Sequence, residues 1–125
     1  MPYCVNEQHR NGNRAKSQWR ISIPEEIASF EESERNGWLL TDNGWGLYMA
    51  GGCVSVLGVA QDHITPVFIA KYVGSADGPW HGYPADYRNK AQDIPVPDVL
   101  CKWLSEGLMT PAKIRKISRG QPCSL

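Results

Sequence analysis

Three predicted turns divide the apolar middle of the chain into short segments. Asn43-Gly44 supplies the positive-φ pair that a tight hairpin turn requires, Gly51-Gly52 marks a second turn, and the stretch 61–66 marks a third. The segments between these turns are 37–41, 45–49, 53–59 and 67–73. We therefore predict an antiparallel β-meander of about four strands.

A strand and a helix are predicted ahead of this meander. The alternation in Trp19-Arg20-Ile21-Ser22-Ile23 is typical of a half-buried strand. Ser22 and Glu25 have the spacing of a capping box, and Pro24 suits a first helical turn, so a helix should begin near Pro24 and end at Gly37. The glutamates of this helix predict an acidic face, either solvated or available to a basic partner.

Two further helices are predicted near the carboxyl end. Pro97 and the apolar period that follows it indicate an amphipathic helix ending at Gly107. Thr110 as an N-cap, Pro111 and the stop at Gly120 indicate a second helix. The segment 74–97, with five prolines or glycines in its first eleven positions, is predicted as a long loop. The predicted fold class is α+β: an antiparallel meander of about four to five strands, one N-terminal helix and two C-terminal helices.

Length and composition narrow the class of protein. The 125 residues suffice for one domain, which we place at 18–125, and residues 1–17 lack a hydrophobic period and are predicted as a flexible arm. The 13 basic and 13 acidic residues give no overall preference for nucleic acid or an anionic membrane. No apolar run approaches the roughly 18 residues that span a bilayer, so we expect no membrane insertion. The polar beginning of the chain predicts a cytoplasmic protein.

Cysteines and histidines are scattered along the chain. Cysteines stand at positions 4, 53, 101 and 123, a spacing that predicts separate reduced thiols, with Cys53 and Cys101 in the core. Histidines stand at positions 9, 63 and 81, without the spacing of a metal site, so neither a metal nor a cofactor is predicted. His9 and His63 are expected to be solvated.

Most of the chemically capable side chains lie in the stretch 78–88. His81 could act as a general acid or base, with Asp86 as its orienting carboxylate and Arg88 or Lys90 stabilising a developing anion. Tyr83 and Tyr87 could supply hydroxyl groups or stacking faces. This inventory predicts a metal-independent RNA-directed hydrolase like small bacterial toxins. The alternative is architectural: the aromatic rings plug an open end of the sheet, and His81 bonds a backbone carbonyl.

The second candidate surface is the basic helix at 111–120. Its charged residues are Lys113, Arg115, Lys116 and Arg119. The segment 114–121 resembles the end of the recognition helix in helix-turn-helix repressors, which implies a nucleic-acid-binding module. The alternative is a solvated basic face.

Three functions remain open from the sequence. The leading hypothesis is a small cytoplasmic protein-interaction domain of the inhibitor, antitoxin or immunity type, because five tryptophans and five tyrosines are present without a complete catalytic set. The predicted interface residues are Trp80, Tyr83, Tyr87, Lys113, Arg115, Lys116 and Arg119. The alternatives are the hydrolase centred on His81 and the nucleic-acid-binding module.

Overall fold

The computed structural model describes residues 1–125 as three helices and seven strands in two antiparallel sheets. The helices are α1 (Ile23–Arg35), α2 (Pro97–Ser105) and α3 (Pro111–Ser118). The strands are β1 (Gln18–Trp19), β2 (Asn43–Ala50), β3 (Cys53–Ser55), β4 (Gly58–Val59), β5 (Pro66–Val67), β6 (Ile69–Val73) and β7 (His81–Pro84). One sheet has the order β3-β2-β6-β7 and the other β1-β4-β5. The α+β class, the antiparallel pairing and the placement of the helices are confirmed.

The residues predicted to begin and to end helix α1 lie at its two ends. Glu25 N donates to Ser22 Oγ at 3.2 Å, and Ser22 N donates to Glu25 Oε1 at 2.9 Å, so the capping box of α1 is formed. Gly37 follows α1 with a φ of 74°, which a glycine adopts without strain. The predicted strand 19–23 is wrong beyond Trp19, because α1 already begins at Ile23 and leaves that side chain exposed.

The two predicted glycine turns have different outcomes. Gly51 and Gly52 have φ values of 59° and 80° and connect β2 to β3, as predicted. The turn at Asn43-Gly44 is wrong, because both residues belong to β2 and Gly44 bridges Leu39. A Cβ on Gly44 would lie 2.8 Å from Leu39 Cα, so this glycine permits a close approach of two backbones.

Strand β7 interrupts the segment predicted as a long loop. It pairs antiparallel with β6, with His81 opposite Val73 and Tyr83 opposite Lys71. A Cβ on Gly82 would lie 2.6 Å from the Tyr3 hydroxyl oxygen and 2.6 Å from the Tyr72 ring, so a side chain at this position would collide with both. The loop prediction is therefore wrong at 81–84.

The four-stranded sheet separates two hydrophobic cores. Along β2, Trp45 and Leu47 belong to the core shared with α2 and α3, while Gly46 lies against Ser29 and Ser33 of α1. The second core lies on the α1 side and contains Trp19, Phe30, Leu57, Tyr72 and Trp80 among its buried residues. Helices therefore cover both faces of the sheet. None of them is long and apolar enough to cross a membrane.

The amino-terminal segment 1–17 contacts the sheet and α1. Cys4 N donates to Trp80 O at 2.8 Å, and Trp80 N donates to Pro2 O at 2.9 Å, so this segment lies parallel to the chain just before β7. Arg10 forms an ion pair with Glu26 at 2.7 Å. The flexibility of residues 1–17 stays a prediction.

The predicted solvent exposure is wrong for four residues. His9 is buried within its 3-10 helix, Glu7–His9, with 7% of its surface exposed. His63 is half-buried, because its Nε2 lies within 3.0 Å of Asn13 O and Lys16 O. Cys53 and Cys101 are exposed, because each lies on the outer side of its element and not in either core.

Candidate functional site

The structure separates the predicted catalytic residues along β7. His81 begins the strand, is exposed, and has its Nδ1 3.1 Å from Cys4 O. Asp86 follows the other end of the strand and is 5% exposed. The Asp86 carboxylate accepts two hydrogen bonds from Asn89 Nδ2, both at 3.1 Å, and none from His81. Asp86 therefore orients Asn89 and not His81.

Asp93 forms the centre of a buried polar network that the sequence reasoning missed. Its Oδ1 accepts a hydrogen bond from the Tyr83 hydroxyl at 2.8 Å, and its Oδ2 accepts one from Asp86 N at 3.0 Å. Trp45 Nε1 donates to the Asp93 carbonyl at 3.0 Å. Burial raises the pKa of both the Asp93 carboxyl and the Tyr83 hydroxyl. Tyr83 is therefore a neutral donor that ties β7 to the following segment.

Beside this network lies a small polar cavity of about 150 Å³. Its lining includes His9, Lys16, Tyr83, Asp86, Lys90 and Asp93. The His9 ring stacks on Tyr83 with 5.0 Å between the ring centroids and 17° between the planes. Two of the predicted catalytic residues, Tyr83 and Asp86, thus meet at a histidine, but that histidine is His9 and not His81.

The environment of His9 favours one neutral form of its ring. His9 Nδ1 lies 2.9 Å from Ser17 O, so the proton is on Nδ1 and Nε2 keeps a free electron pair. Burial lowers the pKa of the His9 ring, and the charges of Lys16 and Lys90 lower it further. No apolar period surrounds His9 in the sequence, so nothing there indicated its burial.

A larger, mainly apolar groove of about 470 Å³ lies on the other side of Asp86. Its apolar lining includes Val56, Pro66, Val67, Phe68, Ala85 and Tyr87. The groove is also lined by the carboxyl-terminal residues 122–125, and the Tyr87 hydroxyl donates to Gln121 O at 3.0 Å just before them. Arg88 and Lys116 line it as well, and neither forms an ion pair.

The predicted interface residues lie in different places. Trp80 is fully buried in the α1-side core, so its ring is not available to a partner in this fold. Tyr87 is 7% exposed and packs in the other core. Arg115 and Lys116 on α3 and Arg119 just after it are exposed, and Lys113 is half-buried. Of these basic residues, the structure brings Lys116 to the groove, where Arg88 also lies.

No family model, curated protein or solved structure matches this chain. No group of three or more histidine, cysteine, aspartate or glutamate side chains is arranged to hold a metal ion. The candidate site consists of the two adjoining cavities. Asp86 lines both of them.

Proposed function

We propose that this protein is a protein-interaction domain that binds a short segment of another protein in the apolar groove. The observation that carries the proposal is the groove itself. Its volume, about 470 Å³, falls within the range of about 300–1,000 Å³ that is usual for ligand sites. Its wall includes Val56, whose side chain is 42% exposed, so an apolar partner would remove apolar surface from water.

The charges beside the groove favour an acidic partner segment. Arg88 and Lys116 both line it and have no carboxylate partner within the chain. The carboxylate in the wall, Asp86, is already bonded twice by Asn89. A segment with apolar side chains and an adjacent aspartate or glutamate complements this arrangement.

Side chains rather than backbone should recognise the partner. Strand β5 is an edge strand beside the groove, but Pro66 has no amide hydrogen to donate to an added strand. Strand addition at this edge is therefore disfavoured. Apolar contact with Val67 and Tyr87, combined with ion pairs to the two cations, is the expected mode.

We place this interaction in the cytoplasm, where the partner would be of the inhibitor, antitoxin or immunity type. Cys4, Cys53 and Cys101 are exposed free thiols, and exposed thiols persist in a reducing compartment. Metal-independent RNA hydrolysis at His81 and nucleic-acid binding by α3 stay alternatives. His81 is exposed, as the first requires, but it has neither Asp86 nor a tyrosine hydroxyl as a hydrogen-bond partner.

A displayed library of random dodecapeptides, selected against the full chain, tests the proposal. We expect enrichment of peptides that combine aromatic or aliphatic residues with aspartate or glutamate. A synthetic peptide of the selected sequence should shift the amide signals of Val67, Phe68 and Tyr87 in NMR spectra. Enrichment of basic peptides, or shifts confined to another face, would overturn the proposal.

Charge reversal supplies the matched comparison. Lys116→Glu should lower the affinity for the selected peptide by about tenfold or more, because a charge-assisted contact is lost and a repulsive one is added. Lys113→Glu makes the same change on α3 away from the groove and should leave affinity near the wild-type value. Equal effects of the two variants would show that the groove is not the binding site.

A further inference from the structure

The polar cavity presents a hydrogen-bond acceptor that no group of the protein uses. His9 is 7% exposed, and its Nδ1 bonds Ser17 O, while its Nε2 makes no hydrogen bond within the protein. The buried side-chain polar atoms without a partner are the indole Nε1 atoms of Trp38, Trp80 and Trp103, so His9 Nε2 is instead open to the cavity. Because His9 lines the cavity, a donor on a molecule inside it can reach this nitrogen.

The charged residues around the cavity differ in how far their bonding capacity is already used. Asp93 accepts bonds from Tyr83 and from Asp86 N, and Asp86 accepts two from Asn89. Lys16 and Lys90, in contrast, form no ion pair and donate no side-chain hydrogen bond. The unused groups are therefore the neutral acceptor, the two ammonium groups and the side-chain amides of Gln61 and Gln92, which also line the cavity. Their complement is an anion that also carries a hydrogen-bond donor.

The size of the cavity restricts this anion to a few atoms. The volume of the cavity is about 150 Å³. Nucleotides and drug-sized ligands occupy sites of about 300 Å³ or more and do not fit. A single tetrahedral or planar oxyanion does.

We propose that the cavity binds a small oxyanion that keeps an acidic O–H group, of the class of hydrogen phosphate and bicarbonate. Its O–H donates to His9 Nε2, and its other oxygens accept from Lys16 and Lys90. Tyr83, which stacks on His9, and the bonded carboxylates of Asp86 and Asp93 form the remaining wall. The site is independent of the peptide groove, although Asp86 lies between the two.

The order of affinity among anions distinguishes this geometry from simple charge attraction. Sulfate has no proton at neutral pH, so it can bond Nε2 only if the ring first takes a proton from solvent. Burial lowers the pKa of the His9 ring most, and the charges of Lys16 and Lys90 lower it too, while the hydrogen bond to Ser17 O and the charge of Asp93 act in the opposite direction. At pH 7.5 we expect sulfate to bind about tenfold or more weakly than phosphate or bicarbonate.

NMR of the isotope-labelled full chain measures this directly. Inorganic phosphate, bicarbonate and sulfate are titrated separately, and the imidazole nitrogen signals of His9 are followed. A saturable shift of Nε2 with phosphate, bicarbonate or both is expected, and the tighter of the two identifies the oxyanion. No saturable shift with either, or sulfate binding as tightly, would overturn the proposal.

Two variants remove one contact each. His9→Asn keeps a donor for Ser17 O but has no atom in place of Nε2, so anion binding should be lost while the amide spectrum stays that of the folded protein. Lys90→Gln should weaken binding by about tenfold, and Lys113→Gln, with the same charge change on α3, should not. If His9→Asn fails to fold, the comparison of the two lysine variants decides, and equal affinities would refute the site.

Discussion

We expect Glu26→Gln to destabilise the domain and to release residues 1–17 from helix α1. Glu26 is fully buried, and its Oε1 accepts hydrogen bonds from Arg10 Nε at 2.9 Å and from Arg10 Nη2 at 2.7 Å. Its Oε2 accepts a hydrogen bond from the Tyr3 hydroxyl. Both partners belong to the amino-terminal segment, so one carboxylate of α1 holds that segment at two points.

The size of the loss follows from the burial of the pair. Removing one partner of a buried ion pair costs about 3–5 kcal/mol, because the remaining charge is left poorly solvated. The Arg10 side chain is 19% exposed, so water can solvate part of its charge, and glutamine still offers one acceptor oxygen. We therefore expect a loss of about 3 kcal/mol in the free energy of unfolding. The free energy of unfolding of a single domain is about 5–15 kcal/mol, so the variant should still fold.

Urea unfolding, followed by tryptophan fluorescence, measures the loss, and native-state hydrogen exchange shows where it acts. Amide protection should fall most in residues 1–17. Glu31→Gln changes an exposed glutamate of the same helix and should alter stability by less than about 0.5 kcal/mol. A loss below about 1 kcal/mol for Glu26→Gln, with protection of 1–17 unchanged, would refute the role given to this pair.

Three other predictions concern His9, Gly82 and His81. Because the pKa of His9 is lowered from its ordinary 6.5, the unfolded chain takes up the proton first, so stability should fall by at most about 1.4 kcal/mol per pH unit as the pH drops below 6.5. Urea unfolding at several pH values should show this slope in the wild type and not in His9→Asn. The pKa of Asp93 is raised, so above pH 3.8 Asp93 makes the protein more stable, not less, as the pH falls. Gly82→Ala should lower the free energy of unfolding in urea by about 1–3 kcal/mol, since its Cβ would lie 2.6 Å from the Tyr3 hydroxyl oxygen and the Tyr72 ring. A neutral result would contradict this close packing. With labelled single-stranded RNA, the wild type and His81→Gln should give the same background of fragments; cleavage lost in the variant would instead support the hydrolase alternative.

The helices were predictable because their signals are local. Ser22 and Glu25 bond each other across one turn, and Thr110 Oγ1 accepts a hydrogen bond from Lys113 N at 3.3 Å. Gly107 and Gly120 follow their helices with φ values of 73° and 67°. Such features depend on a few neighbouring residues and can therefore be identified in the sequence.

Strand β7 and the polar cavity depend on contacts that are distant in sequence. The residues His81-Gly82-Tyr83-Pro84 include no β-branched side chain, and they form a strand because β6 and the tyrosine rings pack against them. His9 is held beside the cavity by stacking on the ring of Tyr83, which lies far along the chain from it. Neither the strand nor the histidine has a local pattern that indicates its place.

The contacts of the amino-terminal segment also constrain the order in which this chain can fold during synthesis. His81 contacts Cys4, and Ser17 donates to Pro84 O, across 77 and 67 residues respectively. At about 5–20 residues per second, the first segment waits roughly 3 to 15 s before these partners are made. Residues 6–14, rich in Asn, Arg and Gln, expose almost no apolar surface during that interval. The composition that made this segment look unstructured would thus keep it from premature association on the ribosome.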